Sequence, residues 1–151
     1  MNKKIIIHII TGLGDGGAEG VLYRLIKHSK NNYTHKVISL MDEGKYGYEL
    51  KKLNIQVFCI GLKRGKLNFK GVLKLFKILK NNKSDILQTW MYHSDLLGGL
   101  LGCLFGHKNI IWNVRGNGKG LIHKNIFSKI ILKLCIFFSH YIPKTIITCS
   151  N

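Results

Sequence analysis

Short apolar runs alternate with amphipathic segments along the whole chain. The apolar runs are rich in β-branched residues and bounded by Gly, Asn, Ser or Lys, which is typical of buried strands. They predict six strands, at Ile5–Ile10 and at residues 35–41, 55–62, 85–91, 109–114 and 144–150. The segments between them repeat apolar residues every three or four positions, which predicts helices at residues 18–30, 48–53, 68–83, 94–106 and 125–139.

This alternation of strands and helices indicates the fold class. Several of the predicted strands are apolar on both faces, which favours a parallel sheet covered by helices on both sides. Right-handed crossovers then make a doubly wound, mostly parallel α/β domain of the Rossmann-like class. The chain has 151 residues, which is enough for one domain with a hydrophobic core, so residues 1–151 are predicted to form a single domain.

A glycine-rich loop, TGLGDGG at residues 11–17, joins the first strand to the first helix. Gly12, Gly14 and Gly17 form the pattern G-x-G-x-x-G. Ligands of open α/β sheets bind beyond the carboxyl ends of the strands, and a helix N-terminus at that edge attracts phosphate. Gly16 and Gly17 immediately precede the helix and are best placed to contact a phosphate. Because glycine is also the usual turn residue, a turn without a ligand remains an alternative.

The charge of the chain points to anionic partners. Lys and Arg number 24 against 7 Asp and Glu, for a formal net charge of +17. Nucleic acid, phosphorylated ligands and acidic membrane surfaces all fit such a charge. The sequence has no helix-turn-helix, zinc-binding or aromatic RNA-binding signature, so nucleic acid is not an expected partner.

The positions of the cysteines, histidines and apolar runs further limit the kinds of protein that fit the sequence. The four cysteines lie in apolar runs without C-x-x-C spacing and the seven histidines are scattered, so neither a metal site nor a disulfide framework is expected. No apolar run has the features of a signal peptide or the length of a membrane span. We therefore expect a cytoplasmic protein, with the inner face of the cell membrane as a further place where it acts.

Two predicted helices suggest contact with a membrane. Residues 68–83 place Lys70, Lys74 and Lys77 along one face, which is typical of a surface helix and would also attract anionic lipid. The opposite face is expected to pack on the sheet and consists of Val72, Leu73, Phe76 and Leu79. Residues 125–139 are apolar nearly all round, which predicts a helix that is buried or dips into lipid.

Three stretches resemble the amino-terminal domain of bacterial family 4 glycosyltransferases: ITGLGDGGAEGVLYRL, VISLMDEGKYGYELKKLNIQVFCIGLKRG and DILQTWMYHSDLLGGLLG. Their order matches too, with GGAE after the first strand and a histidine after the fourth. The resemblance covers essentially the whole chain. It implies the GT-B architecture, in which two Rossmann-like domains face each other across a cleft. The amino-terminal domain of such enzymes receives the acceptor, and a carboxyl-terminal domain, absent from this chain, holds most of the nucleotide-sugar donor.

The resemblance also implies roles for individual residues. Gly16 and Gly17 would approach the donor diphosphate from the acceptor side, and transfer would retain the configuration of the sugar carbon without a metal or other cofactor. His93 is the candidate catalytic residue, suited to bind an acceptor hydroxyl or move a proton, or else it orders its loop. Asp95 either contacts substrate or, as we favour, caps the following helix. Arg115 replaces a histidine that often touches the donor sugar, and would bind a phosphate or carboxylate of the substrate.

The expected function is therefore glycosyl transfer in the synthesis of a surface polysaccharide or lipid-linked glycan, with no activity in this chain alone. Two alternatives stay open. One is a nicotinamide-dinucleotide domain, in which Asp42 and Glu43 after the second strand would approach the ribose. The other is a noncatalytic basic module at a membrane surface.

Overall fold

A computed structural model of the protein describes residues 3–63, 68–115 and 126–149. Within these residues the strands and helices alternate. In chain order they are β1 (Ile5–Ile10), α1 (Gly17–Ser29), β2 (Thr34–Ser39), α2 (Gly44–Lys52), β3 (Gln56–Cys59), α3 (Phe69–Asn81), β4 (Ile86–Trp90), α4 (Tyr92–Leu104), β5 (Ile110–Val114), α5 (Ile126–Phe138) and β6 (Thr145–Thr148). Residues 125 and 150, which end two of the predicted elements, lie outside the described residues.

The six strands form one parallel sheet in the order β3-β2-β1-β4-β5-β6. The predicted doubly wound α/β fold is confirmed. The strand order reverses between β1 and β4, where Ile10 lies opposite both Ser39 and Trp90. The loops that follow β1 and β4 therefore border the crevice in which open α/β sheets bind their ligands.

Two hydrophobic cores cover the two faces of the sheet. On the first face, α1 and α2 bury residues such as Leu22 and Leu50 against Ile10 and Val37. On the second face, α3 and α5 contribute to a core that includes Leu75, Cys135 and the strand residues Ile9, Leu87 and Trp112. Strands buried on both sides carry the apolar runs that make the sheet predictable from sequence.

Helix α4 packs closely because it is rich in glycine. A Cβ atom at Gly98 would lie 2.8 Å from Ile9 Cδ1, and one at Gly99 would lie 2.9 Å from Ile142 Cγ2. The helix predicted at residues 94–106 is thus present, as Tyr92–Leu104, and its glycines allow it to pack closely on the sheet.

Three details differ from the sequence expectations. Leu73 is 41% exposed, and Leu75 is buried in its place, together with the predicted Leu79. Helix α2 begins at Gly44 and not at residue 48, where it was predicted to begin. The prediction missed the first turn because its residues, GKY, carry little apolar signal. Helix α5 is buried on one side only, since Ile131 and Cys135 face the core while Ile126 is 78% exposed.

Candidate functional site

The glycine loop and the first turn of α4 meet at the reversal of strand order. Thr11 follows β1 directly, and its Oγ1 lies 3.1 Å from Oγ of Ser94 on α4. Helix α4 begins at Tyr92, two residues after β4 ends. The N-termini of α1 and α4 therefore open toward the same crevice, beyond the carboxyl edge of the sheet.

Gly16 and Gly17 lie at the start of α1, as predicted. Gly16 is the N-cap residue, with extended backbone (φ −128°, ψ 169°) and no side chain to satisfy the first N–H groups. Both glycines are exposed, and a Cβ atom added to Gly17 would meet nothing within 4 Å. An uncapped helix N-terminus of this kind offers backbone N–H groups to an anion.

Met91 forms the turn between β4 and α4 with unusual backbone angles. Its φ is 74° and its ψ is 151°, a region that is almost restricted to glycine. Its carbonyl oxygen accepts hydrogen bonds of 2.9 Å from the backbone N–H groups of Ser94 and Asp95. This strained residue allows the strand to end and the helix to begin within two positions.

His93 and Asp95 differ in how they are placed within α4. His93 is half-buried in the first turn, beside the crevice. Asp95 is fully buried, and its Oδ1 accepts a 2.6 Å hydrogen bond from Thr89 Oγ1 while Oδ2 has no hydrogen-bond partner. Burial raises the pKa of the Asp95 carboxyl to about 7.

The predicted helix cap at Asp95 is wrong. Met91 is the N-cap residue and no side chain caps α4. Asp95 lies four residues further on, where its own N–H already bonds to the Met91 carbonyl, so its side chain is past the uncapped groups. A contact between Asp95 and substrate stays a prediction, and it would require the buried carboxyl to become accessible.

Arg115 directly follows β5 and lies over the ring of Trp90. The guanidinium carbon is 5.3 Å from the ring centroid, a cation–π contact, and the buried Nε has no hydrogen-bond partner. In the described part of the chain the ion pairs are Lys45–Asp15, Lys51–Glu43 and Lys52–Glu49. Arg115 is in none of these pairs, so no described carboxylate neutralises its charge.

The three lysines of the predicted membrane face are all exposed on α3. Lys74 Nζ donates a 2.6 Å hydrogen bond to the carbonyl oxygen of Cys59, at the end of the outer strand β3. Lys70 and Lys77 flank it along the helix. This group lies two strands away from β1, and the structure does not bring it to the crevice.

The residues expected to serve a nicotinamide ligand follow β2, next to the glycine loop. Tyr46 of α2 donates its backbone N–H to the Leu13 carbonyl at 2.9 Å, which joins the two loops. Glu43 is held by Lys51, with Nζ 2.6 Å from Oε2. Asp42 accepts a 2.6 Å hydrogen bond from Ser39 Oγ through its backbone carbonyl.

Trp90, Thr11 and Ser94 were not identified as site residues from the sequence. The one available signal was their position, since each lies at or just after the end of β1 or β4. His8 was not identified either; the structure buries it on the first face of the sheet, with its Nδ1 3.4 Å from Trp90 Nε1.

Neither a metal site nor a membrane span is present in the described part of the chain. Across residues 3–63, 68–115 and 126–149, no three His, Cys, Asp or Glu side chains converge as metal ligands would. The helices described for this chain are all too short or too polar to cross a bilayer.

No protein-family model matches the sequence, and no curated protein is significantly similar to it. Solved structures do share its fold. Alr3699/HepE from Anabaena, crystallised in complex with UDP and glucose, superposes over 95% of this chain and 37% of its own, with 13% identity and a TM-score of 0.71. MurG from Acinetobacter baumannii superposes over 98% of this chain and 41% of its own, with 14% identity and a TM-score of 0.61.

These likenesses establish the class of fold to which the chain belongs. It is a six-stranded parallel α/β domain of the Rossmann-like class, shared with Alr3699/HepE and MurG. The chain spans about two fifths of the length of each of these proteins.

Proposed function

We propose that this chain is the acceptor-side domain of a GT-B glycosyltransferase and acts with a second Rossmann-like domain, in cis or in trans. One observation carries the proposal: an uncapped glycine loop meets the first turn of α4 at the reversal of strand order. The likeness in fold to a protein crystallised with UDP and glucose supports a nucleotide sugar as the ligand of this crevice.

In this proposal the two helix N-termini have different substrates. The N–H groups at Gly16 and Gly17 contact the donor diphosphate, where the helix dipole contributes about 0.3–1 kcal/mol. His93, on the first turn of α4, binds the attacking hydroxyl of the acceptor or moves its proton. Arg115 binds an anionic group of the substrate. Transfer with retention at the sugar carbon, without a metal, rests on the family resemblance.

The acceptor is proposed to be a growing surface polysaccharide or a lipid-linked glycan. A basic chain suits a substrate held at an anionic membrane, since lysines near such a surface contribute about 1 kcal/mol each. Exposed lysines on α3 and exposed apolar residues on α5 support contact with lipid at the inner face of the cell membrane.

Glycosyl transfer is the activity that tests this proposal. We predict no transfer by the chain alone, because half a cleft does not hold both substrates in attack geometry. Turnover should appear when a second domain is supplied, fused or separate, and His93→Ala should then lower it about 100-fold. The measurement is release of UDP from UDP-sugars in the presence of lipid-linked acceptor.

His93→Gln serves as the matched variant, since it keeps a hydrogen-bonding side chain without one that titrates near neutral pH. A smaller loss in His93→Gln than in His93→Ala would indicate a hydrogen-bonding role. Robust transfer by the chain alone would overturn the two-domain proposal.

A further inference from the structure

A chain of hydrogen bonds runs through the core of the first face. His8 Nε2 and His35 Nδ1 are 2.9 Å apart, and His35 Nε2 is 3.0 Å from Ser29 Oγ. The Ser29 hydroxyl donates to the Leu25 carbonyl oxygen at 2.6 Å. At the other end, the Trp90 indole Nε1–H donates to His8 Nδ1 over a longer distance of 3.4 Å.

The partners at the two ends determine the direction of every bond between them. An indole N–H only donates, so His8 Nδ1 is the acceptor and His8 Nε2 carries the proton. A carbonyl only accepts, so the Ser29 hydroxyl donates its hydrogen bond to the Leu25 carbonyl oxygen. Ser29 Oγ in turn accepts a hydrogen bond from the N–H of His35 Nε2. Each neutral imidazole thus has one donor and one acceptor, and both are used.

Both rings are held neutral by their surroundings. Burial, with a further contribution from neighbouring His35, lowers the pKa of His8 to about 3. Burial also lowers the pKa of His35. The arrangement of protons along this series of hydrogen bonds is therefore the same throughout the physiological pH range.

The Trp90 end of this chain reaches the candidate site. The Trp90 ring is only 1% exposed, and the Arg115 guanidinium lies on its face, at the crevice end of β5. A hydrogen bond to the indole N–H limits rotation of the ring, and the ring face in turn limits the positions of the guanidinium. Apolar residues such as Ile10 and Val37 fill the same face, and two buried imidazoles are costly beside them unless their polar atoms have partners.

We propose that His8 is a positioning residue: by holding Trp90 it orients Arg115 to bind an anionic group of the substrate, a phosphate or a carboxylate. This inference rests on the proposed role of Arg115 as a substrate contact. It adds two core residues, His8 and Trp90, to those on which substrate binding depends, although neither touches the substrate.

Two substitutions of His8 separate its two hydrogen bonds. In His8→Asn the side-chain oxygen lies two bonds from Cβ, like Nδ1, so it keeps an acceptor for Trp90. In His8→Gln the amide NH2 lies three bonds from Cβ, like Nε2, so it keeps a donor for His35 Nδ1, while no acceptor remains at the position of Nδ1 and the indole is left without a partner. Both variants are neutral and polar, so their losses of thermal stability should be similar.

The ligand probe is inorganic pyrophosphate, followed by Trp90 fluorescence in the Trp112→Phe background, where Trp90 is the remaining one of the two tryptophans. We expect His8→Gln to weaken binding about tenfold, equivalent to about 1.4 kcal/mol, and His8→Asn to rescue most of that loss. Arg115→Gln should abolish the response. The Trp90 indole proton resonance should move upfield in His8→Gln and not in His8→Asn.

Equal affinities in His8→Asn and His8→Gln would overturn the proposal, as would wild-type affinity in Arg115→Gln. If both His8 variants fail to fold, Trp90→Phe tests the same link with pyrophosphate binding followed by calorimetry, since phenylalanine keeps an aromatic ring and lacks the N–H; wild-type affinity in that variant would also overturn the proposal. Failure of the proposed function is distinguishable, because pyrophosphate binding would still depend on His8 and Arg115 while no glycosyl transfer appeared even with a second domain supplied.

Discussion

Met91 has a backbone conformation that side-chain-bearing residues rarely adopt, and it forms the turn between β4 and α4 that borders the crevice. Angles of this kind cost on the order of 1–3 kcal/mol and persist where the surrounding structure requires them. Here the requirement is topological, because β4 must end and α4 must begin within two residues. The tight turn at Met91 places the first turn of α4, with Ser94 and His93, next to the glycine loop.

Met91→Gly and Met91→Ala measure this strain. Both variants remove the same side chain beyond Cβ, and they differ only in the atom that makes a positive φ unfavourable. We predict that Met91→Gly is the more stable of the two by about 1 kcal/mol in urea unfolding. The opposite order, with alanine more stable as it is inside a helix, would mean that the Met91 backbone is not strained.

Asp95 illustrates what residue-level prediction from sequence can miss. Its position after a strand and before a helix suggested a cap, which was a reasonable use of residue type. The predicted cap is wrong because α4 begins at Tyr92, two residues before its predicted start. The Asp95 carboxyl therefore lies in a buried turn of the helix, beside Thr89. A shift of two positions on a helix changes which face a residue occupies.

The periodicity of apolar residues predicts where a helix occurs better than it predicts which side of that helix faces the core. Helices α1 and α3 are amphipathic and were placed within two residues at each end. Helix α5 is apolar nearly all round, so its sequence does not indicate which side faces the core. The structure buries Ile131 and Cys135 and leaves Ile130 and Phe137 exposed.

The basic face of α3 provides a test of membrane contact. We predict that Lys70→Gln, Lys74→Gln and Lys77→Gln together reduce binding to vesicles containing anionic lipid. Thermal stability should change little, because exposed substitutions usually shift it by about 0.5 kcal/mol. Binding should also weaken as salt rises, since these charges are at the surface. Co-sedimentation with vesicles measures both effects.

A matched triple variant controls for overall charge. Lys3, Lys4 and Lys27 are exposed elsewhere, and their replacement by Gln removes the same three charges. Equal loss of binding in the two triple variants would show a general effect of charge instead of a face on α3. Equal binding of the wild type to neutral and anionic vesicles would point to apolar insertion by α5.

At the scale of the whole molecule, the sheet was predictable and part of the site followed from it. Strands apolar on both faces require a parallel sheet with helices on both sides, and that topology alone brings the loops after β1 and β4 together. The hydrogen bonds that link Trp90, His8 and His35 were not predictable from the sequence. His8 lies 27 residues from His35 and 82 from Trp90, and their contacts depend on strand register and side-chain rotamers.

The central claim is that the glycine loop binds the diphosphate of a sugar nucleotide. Gly17 and Gly14 offer a matched pair, because a Cβ atom at either position meets nothing within 4 Å and both variants should fold. Only Gly17 lies at the start of α1, where a side chain would block approach to the helix N-terminus.

Calorimetric titration of UDP into the wild type, Gly17→Val and Gly14→Val tests this claim most directly. We predict that Gly17→Val weakens binding about tenfold, or about 1.4 kcal/mol, and that Gly14→Val stays close to the wild type. NAD should bind no more tightly than UDP. Equal UDP affinity in all three proteins would remove the loop from the donor site, and tight NAD binding that depends on Asp42 would establish the nicotinamide alternative instead.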